Sequence, residues 1–503
     1  MKSSRSNPPN SHQTIILKSA ICSRLLLIGL ILLWRTVLHP YDTSSPLNPN
    51  CLSSNSITHH HNHNQNSLLP QLGSTIEDSI VWDSVYFVRI AECGYEYEQS
   101  YAFLPLLPIC IFVLSHTVFA PLVPFIGLRA VLALAGYAVN NVAFVFAAIY
   151  LYRLSAIILN DHEAALRASL LFCFNPASIF YSSIYSDSLY SLFSLGGLYH
   201  LMSGSDNIAV LWFALSGCAR SNGVLNAGYF CFQTMHQVYH DLFLKKDARL
   251  AVKAFIIGAL RCICTFLPFI AFQAYGYYNI CHGHAPEEMR PWCKSKIPLL
   301  YNYIQSHYWK VGFLRYFQLK QLPNFLLASP ILSLAICCIL HYVRSQPEIF
   351  FSLGFRAPNG QKRSIDSFSS LDTVPGPNIA TSKETFSTKM QEYDNLRQRR
   401  QMIERDDYLV LPEEHDLFQK PECFHAFVIP CILHLGFMAA TAFLVMHVQV
   451  ATRFLSASPP LYWFASHIMS HGTNKRWGYM LWAYSTAYIF LGSMLFSNFY
   501  PFT

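Results

Sequence analysis

Apolar residues along this chain gather into long runs separated by short polar connections. The first run, about Ile21 to Leu38 (ICSRLLLIGLILLWRTVL), follows a polar lead of residues 1–14 and the cations Lys2, Arg5 and Lys18, with Arg24 near its own start. Further apolar blocks fall at about 103–126, 130–152, 164–202, 207–234, 255–274, 323–343, 423–448 and 478–497. Several reach the length needed to cross a bilayer core, and the pattern predicts an all-α polytopic membrane protein with roughly 8–11 transmembrane helices. The Pro-rich block 103–126 and the paired blocks 164–202 and 207–234 have room for short or re-entrant pieces. Such backbone is tolerated at membrane depth only where it lines a protein or water-filled cavity.

Composition supports that class. Hydrophobic residues make up 52% of the 503 and charged residues only 13%, against about a quarter charged in soluble domains. The mean hydropathy is +0.27. The net charge of +7 comes from dispersed Lys and Arg with no long basic run, so nucleic acid is not implied. Most of the 15 Cys lie inside apolar segments, where they read as small buried hydrophobes.

Charge asymmetry orients the chain. A cleaved signal peptide competes for the first run, but the polar lead is long and no small-residue cleavage site follows. A signal anchor is the better reading, with residues 1–20 as a cytosolic tail, 21–38 as the first span and 39–102 across the membrane. Residues 39–101 contain one basic residue (Arg89) against seven acidic ones, which suits the far side. Residues 235–254, with Lys245, Lys246, Arg249 and Lys253, read as cytosolic, as does a flexible insertion at 344–421. Parity then puts 275–322, within a multi-span core at 103–343, on the far side, although it carries six basic residues against two acidic ones. That excess needs a function. Residues 422–503 complete the membrane helices.

Four polar constellations interrupt the apolar pattern. "SIVWDSVYFVRIAECGY" (79–95) reads as an amphipathic interfacial helix, with Trp82, Tyr86 and Phe87 supplying aromatic bulk and Asp83 and Arg89 its polar positions. A carboxylate there can meet an acceptor hydroxyl at a cavity mouth; a solvated Asp is the plainer alternative. In "FNPASIFYSSIYSDSLYSLFSLGG" (174–197) a polar bend holds Asn175, Ser182, Ser183, Ser186 and Asp187. Asp187 with Ser186 either caps the next helix or serves a site. "SGCARSNGVLNAG" (216–228) places Arg220 and Asn222 between apolar stretches, and "ATRFLSASPPLYWFASH" (451–467) brings Arg453, Tyr462 and Trp463. An intramembrane Arg normally faces a cavity or an acid, and Asp187 is available to Arg220. His59, His60, His61 and His63 could bind metal or be polar filler. Cys281 and Cys293 could form a disulfide in an oxidising lumen, with Cys51 or Cys93 as competitors. No P-loop, GxGxxG, HExxH or CxxC pair occurs.

"WDSVYFVRIAECGYEYEQSYAFLPLLP" (82–108), "CFNPASIFYSSIYSDSLYSL", "ARSNG" and "TRFLSASPPLYWFASH" together resemble the PIG-V family, from about residue 78 to the C-terminus. Leu104 in "AFLPLLP" departs from the Phe expected there. The resemblance implies a GT-C type enzyme of the endoplasmic reticulum, the second mannosyltransferase of glycosylphosphatidylinositol (GPI) assembly. It implies dolichyl phosphate mannose as donor, a GPI precursor glycolipid as acceptor and an active site facing the lumen among membrane lipids; no cofactor besides the donor substrate is expected, and no residue is assigned to a metal. A small membrane subunit would be a further partner. The catalytic carboxylate of the first lumenal loop falls on Asp83, with Glu98 next in line. Trp82, Arg89, Glu98, Asn175, Ser186, Asp187, Arg220, Asn222, Arg453, Tyr462 and Trp463 become candidate substrate-binding residues. A GT-C transferase with another acceptor, an N-glycan precursor or a protein, and a lipid or sugar transporter are the alternatives; no internal repeat supports transport.

Overall fold

The computed structural model describes residues 8–39, 41, 51–52, 67–283, 289–356, 427–470 and 475–500. The His-rich run at 53–66 and the part of the insertion from 357 to 421 lie outside them. The described residues fold into helices and turns, with no strand among them. α1 runs unbroken over Pro8–Val37, so the helix starts within the residues read as a tail, and Ile16, Ala20 and Leu27 are fully buried along it. Arg24, near the start of the apolar run, lies within this helix and is buried.

Next come α2 (Pro70–Glu77) and α3 (Ser84–Cys93), then a 3-10 turn at Glu98–Ala102. α3 is a helix as the sequence suggests, but not an interfacial one: it is buried nearly all round, at Ser84, Val85, Phe87, Val88, Arg89, Ile90 and Ala91. The Pro-rich block becomes α4 (Leu106–His116) and α5 (Val123–Ile126), and the chain bends by 65° between them, where Pro121 and Pro124 remove backbone donors. α6 (Leu128–Leu159) is the central helix; 56% of its apolar window is buried.

The two paired blocks break as their polar residues suggest. Block 164–202 divides into α7 (His162–Cys173), α8 (Ser178–Ser182) and α9 (Asp187–Met202). Block 207–234 divides into α10 (Asp206–Ala219), a 3-10 turn at Ser221–Asn226, and α11 (Ala227–Tyr239). Gly196 and Gly197 let α9 and α10 touch, since an added Cβ would lie 2.2 Å from the Trp212 ring and 2.5 Å from that of Phe213.

α12 (Ala248–Cys281) is peripheral: only 17% of its apolar window is buried, and Phe255, Leu260 and Ile263 face outward as a lipid-facing surface requires. α13 (Leu300–His307), α14 (Leu322–Ser345) and α15 (Pro347–Phe351) follow. The C-terminal part is α16 (Val428–Leu444), α17 (Ala451–Leu455), α18 (Pro459–Ser470) and α19 (Lys475–Ser497). Among the described residues five helices, α1, α6, α12, α14 and α19, are long and apolar enough to span a membrane, or six if the bent pair α4–α5 is one span. Two shorter apolar helices, α10 and α16, add to these, and the paired blocks 164–202 and 207–234 are broken rather than continuous.

Two connections assigned to one side of the membrane meet at one end of the bundle: His236 Nε2 lies 2.8 Å from the Leu353 carbonyl. Disulfides join Cys51 to Cys93 and Cys281 to Cys293, with Cα separations of 5.4 and 5.8 Å. The competition among the four cysteines thus resolves into two pairs, 42 and 12 residues apart in sequence.

Candidate active site

Asp83 ends the turn that leads into α3. Trp82 before it holds a left-handed φ of 54°, which a bulky residue keeps only when its surroundings impose it. Here the indole Nε1 donates to the Phe496 carbonyl at 3.1 Å and the ring rests on Phe499. The constraint aims Asp83 at a cavity of about 420 Å³. The Asp83 side chain is 39% exposed, and its Oδ2 accepts from Arg453 Nη1 at 3.3 Å. Its backbone N–H donates to the Tyr185 phenol at 3.1 Å.

Behind it lies Asp187, 2% exposed, at the start of α9. It does not cap that helix, and Ser186 makes no capping bond either. Instead Oδ2 accepts from Arg453 Nε at 2.9 Å and Oδ1 pairs with Arg220 Nη1. Asp83, Arg453, Asp187 and Arg220 thus form a continuous chain of alternating charge. Burial disfavours the Arg453 cation, but Asp187 and then Asp83 outweigh it and hold its pKa above the ordinary value. The guanidinium also lies over the Tyr185 ring, 4.5 Å from its centroid. The formal charge of the four groups is zero.

The break in the helix between α7 and α9 makes this arrangement. Asn175 accepts from Ala177 N at 2.8 Å and donates to the Phe172 carbonyl at 2.8 Å, and Asn140 and Asn141 donate to the carbonyls of Ser183 and Ser182. Tyr185, Ser186 and Asp187 emerge directly after it.

The candidate residues sort cleanly. Trp82, Asp83, Ser186, Arg220, Asn222 and Arg453 line the cavity. Asn222 is 9% exposed and neither of its amide atoms has a hydrogen-bond partner among the described residues. Asn175 is buried in the break. Arg89 lies off the cavity, paired with Glu96 at 2.7 Å with both side chains 6% exposed. Glu98 also lies away from it, accepting from Trp292 Nε1 at 2.7 Å and Tyr308 Oη at 2.6 Å; it fastens residues 289–312 to the turn at Glu98–Ala102. Burial first, then Glu98, raises the Tyr308 phenol to about 12. Tyr462 and Trp463 are core residues, donating to the Ser456 carbonyl at 2.5 Å and to Ser155 Oγ at 2.8 Å.

Sequence reasoning missed Tyr185, Tyr301, Gln305, Trp309, His447 and Gln449, which also line the cavity. Tyr185 stands in the quoted bend, beside Ser186. His447 had no signal, because "VMHVQV" reads as the end of an apolar block. Its Nε2 lies 2.8 Å from the Trp309 carbonyl; a carbonyl only accepts, so Nε2 is the donor in this contact. The described residues hold one cluster of metal-ligating type, Cys51, Cys93 and Glu96, and its two sulfurs form the disulfide.

A family model described as Mannosyltransferase (PIG-V) matches residues 13–503. The chain belongs to the PIG-V mannosyltransferase family. A human relative, GPI alpha-1,6-mannosyltransferase 2, is 29% identical over 77% of this chain and 72% of its own length. GPI mannosyltransferase 2 of Drosophila melanogaster is 29% identical over 84% and 86%. Among solved structures, the apo oligosaccharyltransferase of Archaeoglobus fulgidus aligns at 12% identity and a TM-score of 0.33, over 85% of this chain and 55% of that one. The PIG-V motifs recognised in the sequence, far apart along it, bring Asp83, Asp187, Arg220 and Arg453 into one ion cluster.

Proposed function

We propose that this PIG-V enzyme transfers the second mannose, in α-1,6 linkage, from dolichyl phosphate mannose to a GPI precursor in the endoplasmic reticulum lumen. The observation that carries it is the partly exposed Asp83 carboxylate at a 420 Å³ cavity, backed by a buried Arg–Asp–Arg chain. The acceptor's 6-hydroxyl loses its proton to Asp83 as its oxygen attacks C1 of the donor mannose. The C1–O bond to phosphate breaks, and its electron pair leaves with dolichyl phosphate. One displacement inverts the β-linked donor to an α-linked product, in keeping with a GT-C reading.

Phosphate is a good leaving group, so the base is the main chemical requirement. Arg453 and Arg220 supply donors for the departing oxygens, and Asp187 keeps both guanidiniums in place. Asn222 is left to bond a sugar hydroxyl.

The test is complementation of cells that lack the second GPI mannosyltransferase, read as surface GPI-anchored protein. The wild-type chain should restore the signal. Asp83→Asn keeps the side chain's size and should lower transfer by roughly 10²–10⁴-fold at unchanged protein level. Robust activity in that variant would remove Asp83 as base.

A further inference from the structure

The connection between α12 and α14 carries charge that the cavity does not use. From Met289 to Pro347 the chain contains no Asp or Glu, while Arg290, Lys294, Lys296, Lys310, Arg315 and Lys320 fall within 289–321. Of these six only Arg290 has a carboxylate near it among the described residues, Glu98 at 3.8 Å. Lys310, Arg315 and Lys320 are exposed. They alternate with apolar side chains that are exposed too: Phe313, Leu314, Phe317 and Leu319 at 69, 45, 43 and 94%.

The segment is held in place. Gly312 N–H donates to the Val445 carbonyl at 3.1 Å and Leu314 N–H to that of Leu444 at 2.7 Å. Tyr316 stacks on His447 with ring centroids 4.7 Å apart. Lys310 and Leu314 both keep a left-handed φ of 54°, a conformation that such residues retain only under constraint. Trp309 and Val311, on either side of Lys310, line the cavity, and Leu319 begins the apolar stretch that continues as α14. The segment therefore forms a rim, with the cavity on one side and the start of a membrane span on the other. Exposed apolar groups at that position enter the bilayer interface, which sets the cations between them at the level of lipid phosphates.

We propose that Lys310, Arg315 and Lys320 bind the phosphodiester of the lipid-anchored acceptor. This rests on the GPI-precursor acceptor proposed above. The donor's phosphate is bonded to the reacting C1, so it must lie beside Asp83 and Arg453 inside the cavity. The phosphate of a phosphatidylinositol glycolipid is separated from the accepting hydroxyl by sugars and stays with its acyl chains at the membrane surface. An anion site on the rim matches the second geometry and not the first. Unpaired cations facing a phosphodiester are complementary in charge, and the orientation rule otherwise disfavours cations on this side.

The test uses the full-length enzyme in nanodiscs of zwitterionic lipid, comparing wild type with K310Q/R315Q/K320Q. The substrates are dolichyl phosphate mannose and the mannosylated GPI precursor. The variant should show an acceptor KM raised about tenfold or more, since bonds to charged groups are among the stronger ones, with kcat and donor KM unchanged. With the same glycan freed of its phosphatidyl group, wild type and variant should behave alike. An unchanged acceptor KM, a raised donor KM, or a defect that persists on the phosphate-free glycan would overturn the proposal. So would a defect seen only when anionic phospholipid is added to the disc. Wild-type enzyme that mannosylates neither acceptor would overturn the acceptor reading, and this proposal with it.

Discussion

Asp83 and Asp187 both accept from Arg453, yet their surroundings give them different roles. Asp187 is 2% exposed and bonded to two guanidiniums, whereas Asp83 is 39% exposed with Oδ2 on Arg453. Removing one partner from a buried ion pair leaves an uncompensated charge and costs about 3–5 kcal/mol; a half-exposed carboxylate can be neutralised far more cheaply. Asp187→Asn should therefore be lost from the membrane or unfold early in detergent, while Asp83→Asn stays folded and inactive. Size-exclusion chromatography with a thermal ramp checks both, and equal stability losses would reject the division of labour. Pairing of Arg220 and Arg453 with Asp187 also supplies the structural acid that competes with a donor-binding role. Each guanidinium is still 16% exposed, which leaves an edge for the proposed donor phosphate.

At the scale of elements, the decisive feature is the broken helix between α7 and α9, held from outside by Arg24 of α1. This side chain is 2% exposed. It donates to the Ser178 carbonyl at 3.0 Å, to Ser182 Oγ at 2.9 Å and to the Cys173 carbonyl at 3.4 Å, and it lies 3.8 Å above the Phe144 ring. A helix break strands carbonyls in an apolar interior, where each needs a donor; a guanidinium supplies several at once. Arg24→Leu should strand them and cost about 1–3 kcal/mol for each bond lost, read as reduced yield and lower melting temperature of the purified enzyme. Arg24→Lys keeps the charge but not the fork, and should recover protein level while kcat remains depressed. Full activity in a stable Arg24→Leu enzyme would show that the break needs no such support.

At the scale of the whole molecule, the charge asymmetry along the chain makes a prediction about its topology. Segments 67–105 and 289–318 meet at the cavity end through Glu98 and Trp292, and the α11 end meets Leu353 at another. A glycosylation acceptor engineered at 53–66 should be modified in the lumen and one at 365–380 should not, read by endoglycosidase shift. The reverse pattern would place Asp83 on the cytosolic face and end the proposed mechanism.

The sequence by itself determined the class, the family and most of the ion cluster. Long apolar runs mark membrane helices without reference to any partner, and costly polar residues such as Asp187, Arg220 and Arg453 stand out against them. It also marked where the apolar blocks 103–126, 164–202 and 207–234 would break, because Pro, Asn and Ser disturb the backbone locally. Pairing was different. That Asp187 bridges two arginines, that Arg24 supports the break, that Arg89 and Glu98 serve structure, and that Cys51 joins Cys93 depend on contacts between residues distant in the chain. A one-dimensional pattern records which side chains are polar; only the folded bundle decides which polar group each one meets, and so which carboxylate is left open to a substrate.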